Sequence, residues 1–320
     1  MINSTEKIIQ LIQEAEKILL ITHEHPDGDA LGGMLGLKMS LESLGKSTQS
    51  VCVDEIPRPF LFLPKRQSIA QDFLLGDYDL IMILDCGDLR RTGFGERLKQ
   101  FFLYKKKIIN IDHHPKNDLH KLARHNIVDF KSSSTSEIIY KLLTELDIEI
   151  NSEIATCLLC GLYTDTGAFQ HSNTTPEVLK IAACLLKNGA RLKDITKNIT
   201  NGKTVAALKL WGLVFSRIQK NDSLGLVTAI VTQKDLDTCN ATNADLAGAV
   251  NMISSIPETR AAILFHELTD GSVKASIRTE KNDVDVSNLA RIFGGGGLKK
   301  ASGFTISGKL AKNLLGTLNA

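Results

Sequence analysis

Three apolar runs, the third broken only by Asn110, frame the first half of the chain: Ile18 to Ile21, Leu80 to Leu84 and Ile108 to Ile111. A strand reads this way when a parallel sheet buries both of its faces; a solvated face would impose alternation. Between these runs the apolar period lengthens to that of helices. Ile8, Ile9, Leu11 and Ile12 lie among polar residues, predicting a helix over 6–16 that leads into a strand over 17–22. A second helix is predicted over 30–45, closing on Gly45, a residue suited to a left-handed cap. A short strand is expected over 50–53, and the prolines that follow interrupt regular structure. A helix is expected near Glu96 to Phe102 and an extended piece beginning at Val128. Ser134 and Glu137 stand at capping-box spacing before another helix. Further helices are predicted from Ser152, closing on Asp165, and over 176–190. Strands and helices alternating at these intervals predict an α/β fold, a doubly wound, mostly parallel sheet.

The pattern changes after Gly189. Residues 190–220 look helical and carry the single tryptophan, Trp211. Apolar residues over 224–232, 260–268 and 273–280 predict strands of a second, smaller α+β domain, with helices near 244–254 and 286–293. The expected organisation is a first domain over 1–189, a helical linker over 190–222 and a second domain over 223–320. A chain of 320 residues can bury two cores of this size.

Composition narrows the function. A net charge of +2 advertises no broad field for a nucleic-acid duplex, but leaves room for small anionic substrates held by local basic groups. No run approaches the roughly 18 to 20 apolar residues that span a bilayer. The glutamate-bearing N-terminal pattern is unlike a signal peptide, so the expected setting is the cytoplasm, with no membrane partner. Six cysteines without a repeated metal spacing agree with a reducing compartment. Cys157 and Cys160 form a CxxC inside an apolar helix and read as a buried pair.

The candidate chemistry lies where the apolar runs stop. His23, His25, Asp27 and Asp29 follow the first, Asp85 the second, and Asp112, His113 and His114 the third, while Asp165 ends a predicted helix. Open α/β sheets bind ligands at the carboxyl ends of their strands. Carboxylates gathered there repel one another unless cations sit among them, and two divalent metals are the simplest set. His23, Asp27, Asp29, Asp85, His113 and Asp165 offer four carboxylates, two imidazoles and no thiolate. That donor set suits Mn²⁺, with Mg²⁺ as the alternative. Two metals roughly 3.5 to 4 Å apart can hold a bridging hydroxide for in-line attack at phosphorus, so the reaction class is metal-assisted phosphoester hydrolysis. Asp85, at the end of a central strand, is the expected bridge. His25 reads as peripheral, and Asp88 and Asp118 as surface carboxylates.

The segments HEHPDGD, LDCGD, IDHHP and YTDTG, in that order, resemble the four motifs of the DHH phosphoesterase superfamily. VKASIRTE and DVSNLARIFGGGGLKKASGF resemble the DHH-associated domain of RecJ-like enzymes and of the bifunctional oligoribonuclease and pAp phosphatase group. Length and plan are most similar to that bifunctional group. The resemblance implies one metal on His23, Asp27 and Asp85 and a second on Asp29, Asp85, His113 and Asp165. It further implies that Asp112 orients a histidine and that His114 contacts the scissile phosphate or assists the leaving oxygen. Short RNA (nanoRNA), dinucleotides or pAp are the implied substrates.

Gly294 to Gly297 read either as a tight turn or as an anion-binding nest of backbone amides. Arg278 and Lys299 are candidate phosphate contacts beside them. Ser134 caps a helix or donates to substrate. Where the family carries a histidine after the glycines, this chain has Leu298. The substitution puts substrate affinity in question and leaves the metal ligands intact. Two alternatives stay open: a cyclic or linear dinucleotide phosphodiesterase of the cyclic di-AMP type, and a nucleotide-binding regulator with weakened catalysis, which Leu298 alone favours. Homodimer formation is also left open.

Overall fold

The apolar runs are the central strands of a parallel sheet. The computed structural model describes residues 4–74, 76, 78–103, 107–114, 118–199, 203–308, 311–312 and 318–319. It divides into two units, Met1–Gly202 and Lys203–Ala320.

The first unit runs α1 (Ser4–Glu14), β1 (Lys17–Ile21), α2 (Gly28–Ser43), β2 (Ser47–Val51), β3 (Ile69–Ala70), β4 (Leu80–Leu84) and α3 (Gly95–Leu103). It continues through β5 (Lys107–Asp112), α4 (Asp118–Leu122), β6 (His125–Val128), α5 (Thr135–Glu145), α6 (Ser152–Asp165), α7 (Pro176–Lys187) and α8 (Leu192–Ile199). The sheet order is β3-β2-β1-β4-β5-β6, with every pair parallel. Connection direction reverses between β1 and β4, which makes their carboxyl ends the switch point where such sheets bind ligands.

Both faces are covered. Ile18, Leu20, Leu80, Met82, Leu84, Ile109 and Ile111 pack in one core with side chains of α1, α2, α5, α6 and α7. Leu19, Ile21, Ile81, Ile83 and Ile108 pack in another with Phe94, Leu98 and Leu119. Neither face meets water, so the strands show no alternation.

Helices α2 and α6 approach almost backbone to backbone. A Cβ on Gly32 would stand 2.3 Å from the Cys157 carbonyl oxygen, and one on Gly36 would stand 3.0 Å from Leu158. Cys157 and Cys160 are fully buried in this interface, and burial pushes both thiols up. They act as small apolar residues.

Several boundaries differ from expectation. β2 starts at Ser47, three residues early, because polar Thr48 and Gln49 sit only partly buried beside β1. β6 ends at Val128 instead of starting there. Its Asn126 accepts from Asn110 on β5 and donates to the carbonyls of His120 and Ala123, so polar side chains set its position. The expected linker falls in two parts. Ile195 of α8 belongs to the core of the first unit. Leu210 and Val214 belong to a core of the second.

The second unit comprises α9 (Val205–Ser216), β7 (Gln219–Asn221), β8 (Leu226–Val231), α10 (Gln233–Cys239), α11 (Ala249–Ser254), β9 (Ala261–Glu267), β10 (Val273–Arg278), α12 (Val286–Ile292), β11 (Gly296–Gly297) and β12 (Ala301–Ile306). Its mixed sheet is ordered β11-β12-β10-β9-β8-β7, with β8 and β9 parallel and the other pairs antiparallel. Alternate residues of β9 divide between two cores: Ala262 and Leu264 face one, Ala261 and Ile263 the other. Among the described residues no helix is long and apolar enough to cross a membrane.

Candidate active site

The switch point gathers its side chains through loops that begin where β1, β4 and β5 end. The Thr22 hydroxyl donates to the Leu84 carbonyl at 3.1 Å and ties the first two ends together. His23 follows, with Nδ1 2.7 Å from the Glu24 carbonyl oxygen. Its Nε2 therefore points inward, 3.7 Å from Asp85 Oδ2 and 4.0 Å from Asp27 Oδ1. Asp27 caps α2, accepting from the amides of Asp29 and Ala30 at 3.0 Å. That cap starts the helix two residues earlier than its apolar period suggests. Asp29 is fully buried and accepts from the amides of Thr135 and Ser136 at 2.6 and 2.8 Å. These are first-turn amides of α5, without partners inside their own helix.

Asp85 lies between two groups of ligands. Its backbone is left-handed (φ 59°), an uncommon state for a residue with a Cβ. Oδ2 faces His23, while Oδ1 lies 3.6 Å from His113 Nε2 and 3.4 Å from His114 Nδ1. The Thr135 hydroxyl donates to Oδ1 at 3.0 Å. Asp165 closes the ring from the end of α6, its Oδ2 3.1 Å from His113 Nε2. Asp112 supports from behind. Its Oδ1 accepts from the His114 amide at 3.0 Å and from the His114 ring at 2.8 Å, and its Oδ2 accepts from the Gly87 amide at 2.8 Å.

These residues fit metals. His23, Asp27 and Asp85 form one set whose ligand atoms all lie within 4.8 Å of one another; Asp29, His113 and Asp165 form a second, and Asp85, His113 and His114 a third. The electrostatics show how strongly the centre demands positive charge. Burial lowers the His113 pKa, but Asp165 and Asp85 beside it outweigh burial and raise it to about 10. Burial likewise opposes His114, which Asp112 and Asp85 carry up to about 11. Asp165 is raised to about 6 by burial, against the pull of His113. Asp29 is pushed well above the carboxylate range by burial and then by Asp85 and Asp165. Without metals, protons supply the cations that so many close carboxylates need.

All six expected ligands, with Asp112 and His114, thus come together. His25 does not: its side chain is 88% exposed and its Nδ1 pairs with Asp54 at 2.8 Å. Asp88 accepts from the Arg91 amide of its own turn, and Asp118 accepts from the amides of Leu119 and, across 29 residues, Leu89. Of the two readings of Ser134, the structure bears out the cap: the residue is fully buried, and its hydroxyl accepts from the Glu137 amide at 3.1 Å at the start of α5. In the same serine-rich run, sequence reasoning missed Thr135 as the donor to Asp85. It missed Asn173 as well, whose Nδ2 donates to the carbonyls of Ser133 and Asp165. Nothing in the composition of that turn signals the contact.

In the second unit the glycines form a helix stop and a strand, not an open loop. Gly294 (φ 74°) donates to Arg291 and Gly295 to Ala290, closing α12. Gly296 and Gly297 pair with Gly303 and Ser302 as β11. A Cβ on Gly295 would stand 2.2 Å from the Gly303 carbonyl oxygen, so close strand approach itself demands glycine there. Leu298 opens the turn to Ala301 and is 43% exposed. Lys299 is exposed. Arg278, at the end of β10, is partly buried, donates to the Ile277 carbonyl and has no carboxylate partner among the described residues.

Comparison with known proteins agrees with this plan. Residues 17–162 match the model of the DHH family, N-terminal domain, and residues 226–320 match that of the DHHA1 domain. A bifunctional oligoribonuclease and PAP phosphatase NrnA of Thermus thermophilus is 32% identical over 292 residues, covering 91% of this chain and 84% of that protein. A protein of the same name from Mycoplasma genitalium is 28% identical over 309 residues, covering 96% and 93%. The crystal structure of an exopolyphosphatase-related protein from Bacteroides fragilis superposes with a TM-score of 0.87 at 28% identity, covering 96% of this chain and 92% of that one. With its ligand-bearing strand ends, its paired domains and a relative of this identity along most of its length, the chain belongs to the DHH family of phosphoesterases, in the branch that joins a DHH domain to a DHHA1 domain.

Proposed function

We propose that the protein is a metal-dependent phosphoesterase that cleaves short oligoribonucleotides to mononucleotides and removes a phosphate from pAp. The observation that carries this reading is Asp85, whose two oxygens face two separate sets of ligand atoms at the switch point. The relatives named oligoribonuclease and PAP phosphatase support the choice of substrates. In this reading His23, Asp27 and Asp85 hold one divalent metal, and Asp29, Asp85, His113 and Asp165 hold the other. Imidazole and carboxylate donors without thiolate favour Mn²⁺ over Mg²⁺. When bound, the metal pair supplies Lewis-acid activation of water and neutralises charge at phosphorus.

The chain's own residues do the positioning. The amides at the start of α5 fix Asp29, and the Thr135 hydroxyl fixes Asp85. Asp112 takes the Nδ1 hydrogen of His114, which leaves Nε2 available to the scissile phosphate or the leaving oxygen. The unit Lys203–Ala320 holds the terminal nucleotide, with Arg278, Lys299 and the Gly294–Gly297 segment as its phosphate contacts. In this reading the protein acts in the cytoplasm.

The test is a turnover screen with Mn²⁺, Mg²⁺ or chelator over pAp, RNAs of two to five nucleotides, and cyclic dinucleotides. The expected result is hydrolysis of pAp and short RNA, lost with chelator and best restored by Mn²⁺. A strong preference for cyclic dinucleotides would replace this reading with the dinucleotide one. Full activity in chelator would overturn the metal mechanism.

A further inference from the structure

The loop after β4 holds an arginine that the metal-ligand scheme does not use. Arg90–Thr92 form one short turn of 3₁₀ helix. Its middle residue is tied on both sides. The Arg91 amide donates to Asp88 Oδ1 at 3.0 Å, and the Arg91 carbonyl accepts from the Glu24 amide at 2.7 Å, one residue past His23. The backbone of Arg91 is therefore pinned between the loop that carries Asp85 and the loop that carries His23.

The side chain turns towards His114. A Cβ built on Gly87 would stand 3.1 Å from Arg91 Nη1 and 3.8 Å from His114 Cγ, so guanidinium and imidazole flank the same point. Gly87 itself is left-handed (φ 69°) and donates to Asp112. Yet among the described residues the guanidinium has no hydrogen-bond or carboxylate partner. The nearby carboxylates are committed elsewhere: both oxygens of Asp112 to Gly87 and His114, Asp85 to Thr135 and the histidines, and Asp88 to the Arg91 amide. Arg97, farther along, is engaged by Asp72 and the Phe73 carbonyl and lies over the rings of Phe73 and Phe94. Among the described residues, Arg91 alone combines a fixed backbone, a half-buried side chain and an unmatched planar fork of donors at the rim of the centre. Such a fork matches a pair of phosphate oxygens.

We infer that Arg91 binds the scissile phosphate, its guanidinium taking the non-bridging oxygens on the side of His114. This deepens the phosphoesterase reading and rests on it for the identity of the anion. The test uses the Mn²⁺-loaded full chain and two variants, Arg91→Ala and Arg91→Lys. Calorimetric titration with inorganic phosphate should show at least tenfold weaker binding to R91A, with unchanged Mn²⁺ stoichiometry and thermal midpoint. On pAp and on a dinucleotide, kcat/KM should fall at least tenfold for both, since both present the same reacting group. R91K should recover only part, because an ammonium cannot make the paired contact. Phosphate affinity within twofold of wild type in R91A would overturn the assignment. So would a loss of bound Mn²⁺, which would make Arg91 a structural support. If the wild type hydrolyses none of the nucleotides but binds phosphate through Arg91, the substrate reading fails and the Arg91 assignment stands.

Discussion

Asp85 is where the chemistry and the backbone place different demands on one residue. Replacing it with asparagine keeps the shape and tolerates the left-handed conformation, but removes the charge shared between the two ligand sets. Asp85→Asn is expected to retain less than a tenth of wild-type turnover at saturating Mn²⁺, with the far-ultraviolet circular dichroism of the folded protein. Greater retention would rule out the bridging role. Leu298 poses the opposite case, a site that lacks a family side chain. A hydrogen bond to a charged group contributes about 1.5 to 3 kcal/mol, roughly ten- to a hundredfold in binding. Leu298→His is expected to lower KM for pAp or a dinucleotide by part of that range, and to change kcat less. No change in either constant would show that the turn from Leu298 to Ala301 does not face substrate. At this scale the sequence was enough to single out the six side chains that the structure gathers at the switch point, because histidine and aspartate directly after apolar runs have few structural uses. It did not reveal Thr135, Asn173 or Arg91. Their roles come from neighbours far along the chain, such as Asp29, which meets Thr135 across 106 residues.

Among elements, the pairing of α2 with α6 decides the geometry of the centre, because α2 carries Asp29 and α6 ends in Asp165. Gly32 makes the approach possible. In Gly32→Ala the new methyl meets the Cys157 carbonyl, a backbone atom that cannot swing aside. Overpacking of this kind typically costs about 1 to 3 kcal/mol. The variant should melt lower and bind Mn²⁺ more weakly, as read by thermal denaturation and calorimetry. An unchanged melting point would mean that the helices can separate without disturbing the site. The long elements were legible because both of their faces, or one whole stripe, are apolar. The short ones were not. β3 has two residues and α4 five, too few for a period to show, and β12 carries Gly303 in its middle. In β6, polar partners hold the strand where apolar burial would otherwise mark it.

At the scale of the molecule, the strand order means that the site is assembled from distant parts of the chain. The clasp between Thr22 and Leu84 spans 62 residues, and that between Asp29 and Thr135 spans 106. Synthesis proceeds at roughly 5 to 20 residues per second, so on the order of 5 to 20 s pass between the emergence of Asp29 and of the amides that hold it. Contacts of such separation form late, after the entropy of closing the intervening loops has been met. A metal pair held there is therefore expected to bind after the fold has formed and to report that folding has finished. Stabilisation acquired after the transition state slows unfolding and leaves refolding unchanged. With Mn²⁺ at about a hundred times its dissociation constant, the gain is about 2.7 kcal/mol, and it should appear wholly as slower unfolding in stopped-flow experiments. Refolding accelerated by Mn²⁺ would show that the ligands meet early. If the rates behave as expected, a newly made chain that has yet to capture metal is already folded, and the supply of metal governs how long it survives rather than whether it forms.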